Sequence, residues 1–139
     1  MNKQKLIDTL VQSEKQNGLL TVLQKYFCSD IRVSIGYTSK ACLTAIDELS
    51  FSVRSQNALK RASLFTIGDV IDAIENGEIE KIRNLGSKSI CEIKTRVLLF
   101  GFNNLSEREK SEFFSSLIKL NPEKTERLCE VGIGSAKYN

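Results

Sequence analysis

Ile67, Val70, Ile71 and Ile74 stand at i, i+3, i+4 and i+7, the spacing that lines one face of an α-helix with apolar side chains. Thr66 and Asp69 form a Thr-x-x-Asp start in which the hydroxyl and the carboxylate can each satisfy a backbone N–H group of the other's turn. Asn76-Gly77 supplies the stop. A protein of 139 residues with a single proline is free to repeat such helices, and the pattern recurs along most of its length.

Leu6, Ile7, Leu10 and Val11 predict one amphipathic helix, and Leu19, Leu20, Val22, Leu23, Tyr26 and Phe27 predict a second after Asn17-Gly18. Ile31, Val33 and Ile35 alternate with polar residues and suit a short strand or extended linker. Ser52 is the expected N-cap of a helix whose buried side carries Val53, Leu59 and Ala62. A short turn with Ile79 and Ile82 precedes Asn84-Leu85-Gly86, and Ile90, Ile93 and Val97 resume the helical pattern through to Gly101. Ser106 and Glu109 make an S-x-x-E capping box ahead of Phe113, Phe114, Leu117 and Ile118, with Asn121-Pro122 as the stop. The C-terminal end, with Gly132, Gly134 and Ser135, reads as a weak helix fraying into a tail. The expected fold is all-α. Three segments are expected: a helical extension over 1–45, a compact helical domain over 46–102, and a C-terminal helix and tail over 103–139.

Composition removes several function classes. With no histidine in the sequence, the Ser-His-Asp and Cys-His arrangements lack their imidazole base. Cys28, Cys42, Cys91 and Cys129 are scattered without a CxxC pair, so neither a zinc site nor a disulfide framework is suggested. No cofactor, metal or catalytic set is expected. Apolar runs such as Leu19 to Leu23 fall far short of the roughly 20 residues of a membrane span, and no signal-peptide pattern opens the sequence; the expected location is the cytoplasm.

The formal net charge is +3, and residues 46–102 hold eight basic and eight acidic side chains. Any anion site in that segment must arise from local placement rather than overall charge. Arg54, Asn57 and Arg61 fall at i, i+3 and i+7, giving one helix face two guanidinium groups and an amide; by itself this also describes a solvated stripe. In Asn84-Leu85-Gly86-Ser87-Lys88-Ser89, glycine allows a sharp turn or the close approach of a partner. The helix beginning there would offer unpaired N–H groups, the positive dipole end, the Lys88 ammonium and the Ser89 hydroxyl to a phosphate. The plainer reading is an ordinary loop with Ser87 as N-cap.

Taken together, SVRSQNALK over 52–60, TIGD over 66–69 and RNLGSKSICEIK over 83–94 resemble the C-terminal domain of the bacterial RNA polymerase alpha subunit. The resemblance covers roughly residues 46–102. It implies a compact domain of four to five helices with helix-hairpin-helix-type elements that docks on the minor groove of A·T-rich double-stranded DNA. It implies that Arg54 enters the groove, that Asn57, Gly86, Lys88, Ser89 and Glu92 lie on the DNA-contact surface, and that Asn84 begins the loop reaching the backbone. Ala58 stands where some members have cysteine. The resemblance also implies contact with sigma factor, RNA polymerase or a transcription activator; Glu48 keeps one acidic sigma-contacting position, whereas Ser50 replaces the other. The alpha subunit's assembly domain is longer than the whole of this sequence, so a stand-alone version of the DNA-binding domain is expected. The second expectation is a protein-interaction adaptor that keeps the fold and binds polymerase or a regulator without DNA.

Overall fold

The computed structural model describes residues 1–27 and 32–131. The fold is all-α, with no strand among the described residues and one isolated antiparallel bridge between Ala45 and Thr66. No helix among the described residues is long and apolar enough to cross a membrane. The protein divides into two units, Gly36–Asn104 and the pair of segments Met1–Ile35 with Leu105–Asn139.

In the Gly36–Asn104 unit, the Thr38 hydroxyl accepts from the Ala41 N–H at 3.1 Å and starts α3, Ser39–Cys42. The bridge follows, with Ile46 N–H donating to the Phe65 carbonyl and Ile67 N–H to the Thr44 carbonyl. A 3-10 turn over Ile46–Leu49 ends on Ser50 in the left-handed region. Ser52 then caps α4, Val53–Arg61, as its sequence position predicts. Thr66 and Asp69 close the expected capping box on α5, Ile67–Glu75. A 3-10 turn over Ile79–Lys81 leads to α6, Ser87–Asn103.

The core of this unit gathers Ile46, Leu59, Ile67, Val70, Ile79 and Ile93, each contributing about 1.5–3 kcal/mol through burial. Ile71 and Ile74 are only half-buried at its edge. Tyr37 lies along α6, its hydroxyl donating to the Val97 carbonyl at 3.0 Å. Gly101 makes room for it, since a Cβ there would sit 2.5 Å from the ring. Burial above all, with smaller electrostatic contributions from Cys42 and Glu75, pushes the Tyr37 phenol up to about 12. Through Tyr37 and the contact of α3 with α5, residues 36–45 become part of this unit, whereas the sequence pattern assigns them to the extension.

In the other unit, Asn2 caps α1, Lys3–Asn17, and Gly18 at φ +85 turns the backbone into α2, Leu19–Val22, which runs on as a π-helical turn over Leu23–Phe27. The Ser106–Glu109 capping box forms and opens α7, Glu107–Leu120; α8 is Pro122–Val131. α1 packs against α2, α7 and α8, so the extension and the C-terminal segment build one unit through contacts distant in sequence. Asn121 is buried and brackets Arg32, accepting from its N–H at 2.9 Å and donating to its carbonyl at 2.8 Å. Residues 32–35 are non-helical, compatible with the extended linker; Ile31, Cys28, Gly132, Gly134 and Ser135 lie outside the described residues. Cys42, Cys91 and Cys129 are free thiols.

Candidate nucleic-acid interface

α4 buries Ser55, Ala58 and Leu59, while Val53 is 77% exposed and Ala62 is exposed. This corrects the expected buried face of Val53, Leu59 and Ala62. Val53 is the first residue of the helix, and the side turned inward carries Ala58 and Leu59 in the apolar core, together with Ser55, whose hydroxyl bonds to a distant carboxylate. Ala58 belongs to the core, so its difference from cysteine is a packing matter.

That carboxylate is Glu92, one turn beyond Ser89 on α6. The Ser55 hydroxyl donates to Glu92 Oε1 at 2.8 Å, and the Ser52 hydroxyl and N–H lie 3.2 and 3.4 Å from the same oxygen. The Ser55 hydroxyl holds the Glu92 carboxyl below its ordinary range; burial pushes the other way, and the Ser52 groups and the Arg96 charge add to the lowering. The first turn of α4 is thereby fastened to the second turn of α6. Sequence reasoning finds Ser52 as a cap but misses the part that Ser52 and Ser55 play at Glu92. The available signal was Ser55 at i with Ala58 and Leu59 at i+3 and i+4 on one apolar face.

A Glu92→Ala change leaves the buried Ser55 hydroxyl without its acceptor and is expected to cost about 1–3 kcal/mol. Because the folded-state carboxyl is depressed, this contribution is present above the ordinary glutamate range, about pH 4.3, and is lost as pH falls through the lower folded value. Urea unfolding of both proteins should show a stability gap near neutral pH that closes in acid; a gap independent of pH would contradict this account.

Asn84 adopts a left-handed backbone at φ +66, a region asparagine tolerates better than most residues. Leu85 turns into the core, and Gly86 then serves as N-cap of α6 with no side-chain cap. The N-cap is therefore Gly86 rather than Ser87, which occupies the first helical position. Gly86 itself has φ −79, and a Cβ there would meet nothing within 4 Å. Neither backbone strain nor internal packing calls for glycine there; it suits the N-cap position and leaves the backbone open to the close approach of a partner.

Arg54, Asn57, Asn84, Gly86 and Lys88 are exposed, and Ser89 and Glu92 are half-buried. The equal charge count of the segment conceals their environment. Asp47 pairs with Lys60, Glu80 pairs with Lys94, Asp69 caps α5 and Glu92 holds α4. Arg54 and Lys88 form no ion pair with any described residue. The bond at Glu92 joins the first turn of α4, which carries the unpaired Arg54, to the second turn of α6, a helix whose start lacks a side-chain cap and carries Lys88. Glu48 is exposed on the 3-10 turn, while its neighbour Asp47 is tied to α4 through Lys60 and Gln56.

Residues 37–98 match the family described as the C-terminal domain of the bacterial RNA polymerase alpha subunit. The stretch is an alpha-C-terminal-domain-like domain. The DNA-directed RNA polymerase subunit alpha of Malacoplasma penetrans is 54% identical over 61 residues, and that of Symbiobacterium thermophilum is 47% identical over 58 residues. These alignments cover 43% and 42% of this protein and 18% of each relative. The sequence therefore spans about a fifth of the length of the curated relatives it matches. No solved structure gives a significant match. The alpha-C-terminal-domain-like match lies within the Gly36–Asn104 unit and contains Arg54, Asn57, Asn84, Gly86, Lys88, Ser89 and Glu92.

Proposed function

We propose that the alpha-C-terminal-domain-like domain docks on the minor groove of A·T-rich duplex DNA as a non-catalytic, transcription-associated module. Arg54 enters the groove, where a narrow A-tract concentrates negative potential around an inserted arginine. Asn57, one turn along α4, reaches the same edge. The α6 start anchors phosphate through the N–H groups that follow Gly86, together with Lys88 and the Ser89 hydroxyl. Glu92 acts by positioning, because a carboxylate engaged by Ser52 and Ser55 repels phosphate and gains nothing from meeting it. Asn84 sets the turn that presents Gly86.

The observation that supports this reading is the Ser55–Glu92 bond, which fastens the turn bearing the unpaired Arg54 to the helix that opens at Gly86. Minor-groove edges barely separate A·T from T·A, so the expected preference is for A·T-rich shape rather than a defined word. Glu48 offers an acidic contact to sigma factor beside the DNA face, and RNA polymerase or an activator would supply the remaining protein partners. The proposed location is the cytoplasm, where such DNA and polymerase are found in bacteria.

Fluorescence anisotropy with an A-tract duplex and a G·C duplex tests the reading. The A-tract is expected to bind more tightly, with a salt slope of about −0.9 for each phosphate contacted. Failure to bind either duplex at low salt would transfer the function to the protein-interaction adaptor, which uses the same fold without DNA.

A further inference from the structure

The second half of α4, Ala73 of α5 and the turn over residues 78–84 enclose an open cleft of about 660 Å3. Its floor is apolar, with Ala58 and Ala73 buried and Ile82 half-buried, while Arg61, Lys81 and Arg83 are exposed around it. None of these three cations forms an ion pair with a described residue. Among the described residues, Glu78 is the single carboxylate lining the cleft.

Two connections join this cleft to the proposed DNA face. Arg61 follows Arg54 by seven residues and Asn57 by four, so the three share one stripe of α4 and span about 10 Å along its axis. Asn84 lines the cleft and also sets the turn into Gly86. A duplex that receives Arg54 and runs along that stripe would continue past one of its ends. Guanidinium forks suit phosphate oxygens and remain charged at any physiological pH.

We propose that Arg61, Lys81 and Arg83 form a second phosphate-binding track, which takes the sugar–phosphate backbone of the same duplex beyond the groove occupied by Arg54. The inference rests on the DNA-docking reading and extends its footprint. It assigns the cleft to binding strength rather than to sequence preference, since phosphate contacts carry no base information.

The test is the salt dependence of A-tract binding by the full-length protein, comparing wild type with the double variant Arg61→Gln/Arg83→Gln. Loss of two phosphate contacts is expected to make the log–log salt slope shallower by about 1.8, with weaker binding to both duplexes and an unchanged A-tract to G·C ratio. The variant Arg61→Lys/Arg83→Lys, which keeps the charge, should restore most of the slope. Thermal unfolding followed by circular dichroism checks that both variants fold, as exposed positions should. An unchanged slope in the Gln variant overturns the track. So would binding of a labelled aspartate- and glutamate-rich peptide that the Gln variant loses while its DNA slope stays wild-type, because the cleft would then receive protein. Failure of the parent reading is seen separately, as Arg54→Ala retaining both affinity and A-tract preference.

Discussion

Arg54→Ala is expected to lose most A-tract binding while leaving the unfolding midpoint nearly where it was. The arginine is exposed and unpaired, so its removal neither opens a cavity nor orphans a buried partner. Surface changes of this kind usually stay within about 0.5 kcal/mol. In the proposed complex the same guanidinium would donate charge-assisted hydrogen bonds in a confined groove, each worth about 1.5–3 kcal/mol. That corresponds to roughly a ten- to hundredfold loss of affinity, and residual binding should show little difference between A-tract and G·C duplexes. Anisotropy and urea unfolding on one preparation separate the two effects. Equal affinity of wild type and variant would remove Arg54 from the interface.

Ile93→Ala should have the opposite profile. Ile93 is fully buried on α6, beside Glu92 in sequence and among the core residues of the domain. Truncation to alanine loses transfer free energy and leaves a cavity, at a cost of about 2–5 kcal/mol. Against a typical total stability of about 5–15 kcal/mol, that is a large fraction, and the urea midpoint should fall clearly. DNA affinity measured per folded molecule should change little, since Ile93 has no exposed surface to offer. A variant that stayed as stable as wild type would show that the core tolerates repacking around α6 far better than its burial implies.

Both capping boxes were legible in sequence because their chemistry is local. Thr66 with Asp69 and Ser106 with Glu109 are three residues apart, and the bonds close within one helical turn. The apolar stripe of α5 was legible in the same way. The inward face of α4 was legible only in part: the spacing of Ala58 and Leu59 marks it, but the burial of the polar Ser55 depends on its meeting Glu92 across 37 residues. α3 escaped notice because four residues are too few to show a period, and its start depends on the Thr38 hydroxyl. The packing of α1 against α7 joins distant segments, for which helical spacing offers no cue. Among the site residues, the motifs identified which side chains to consider. Their physical division of labour required the fold: Arg54 and Lys88 stand unpaired, whereas Glu92 is engaged inside the protein.

The order of the two units along the sequence has a consequence for limited proteolysis. The segment Gly36–Asn104 is continuous, and the segments on both of its sides belong to a single second unit. One nick near residue 35 or near residue 105 would leave the two units joined through the uncut connection. Liberating the alpha-C-terminal-domain-like piece takes a cut at each crossing, so its appearance in a digest should lag behind the singly nicked protein and follow two successive cleavages.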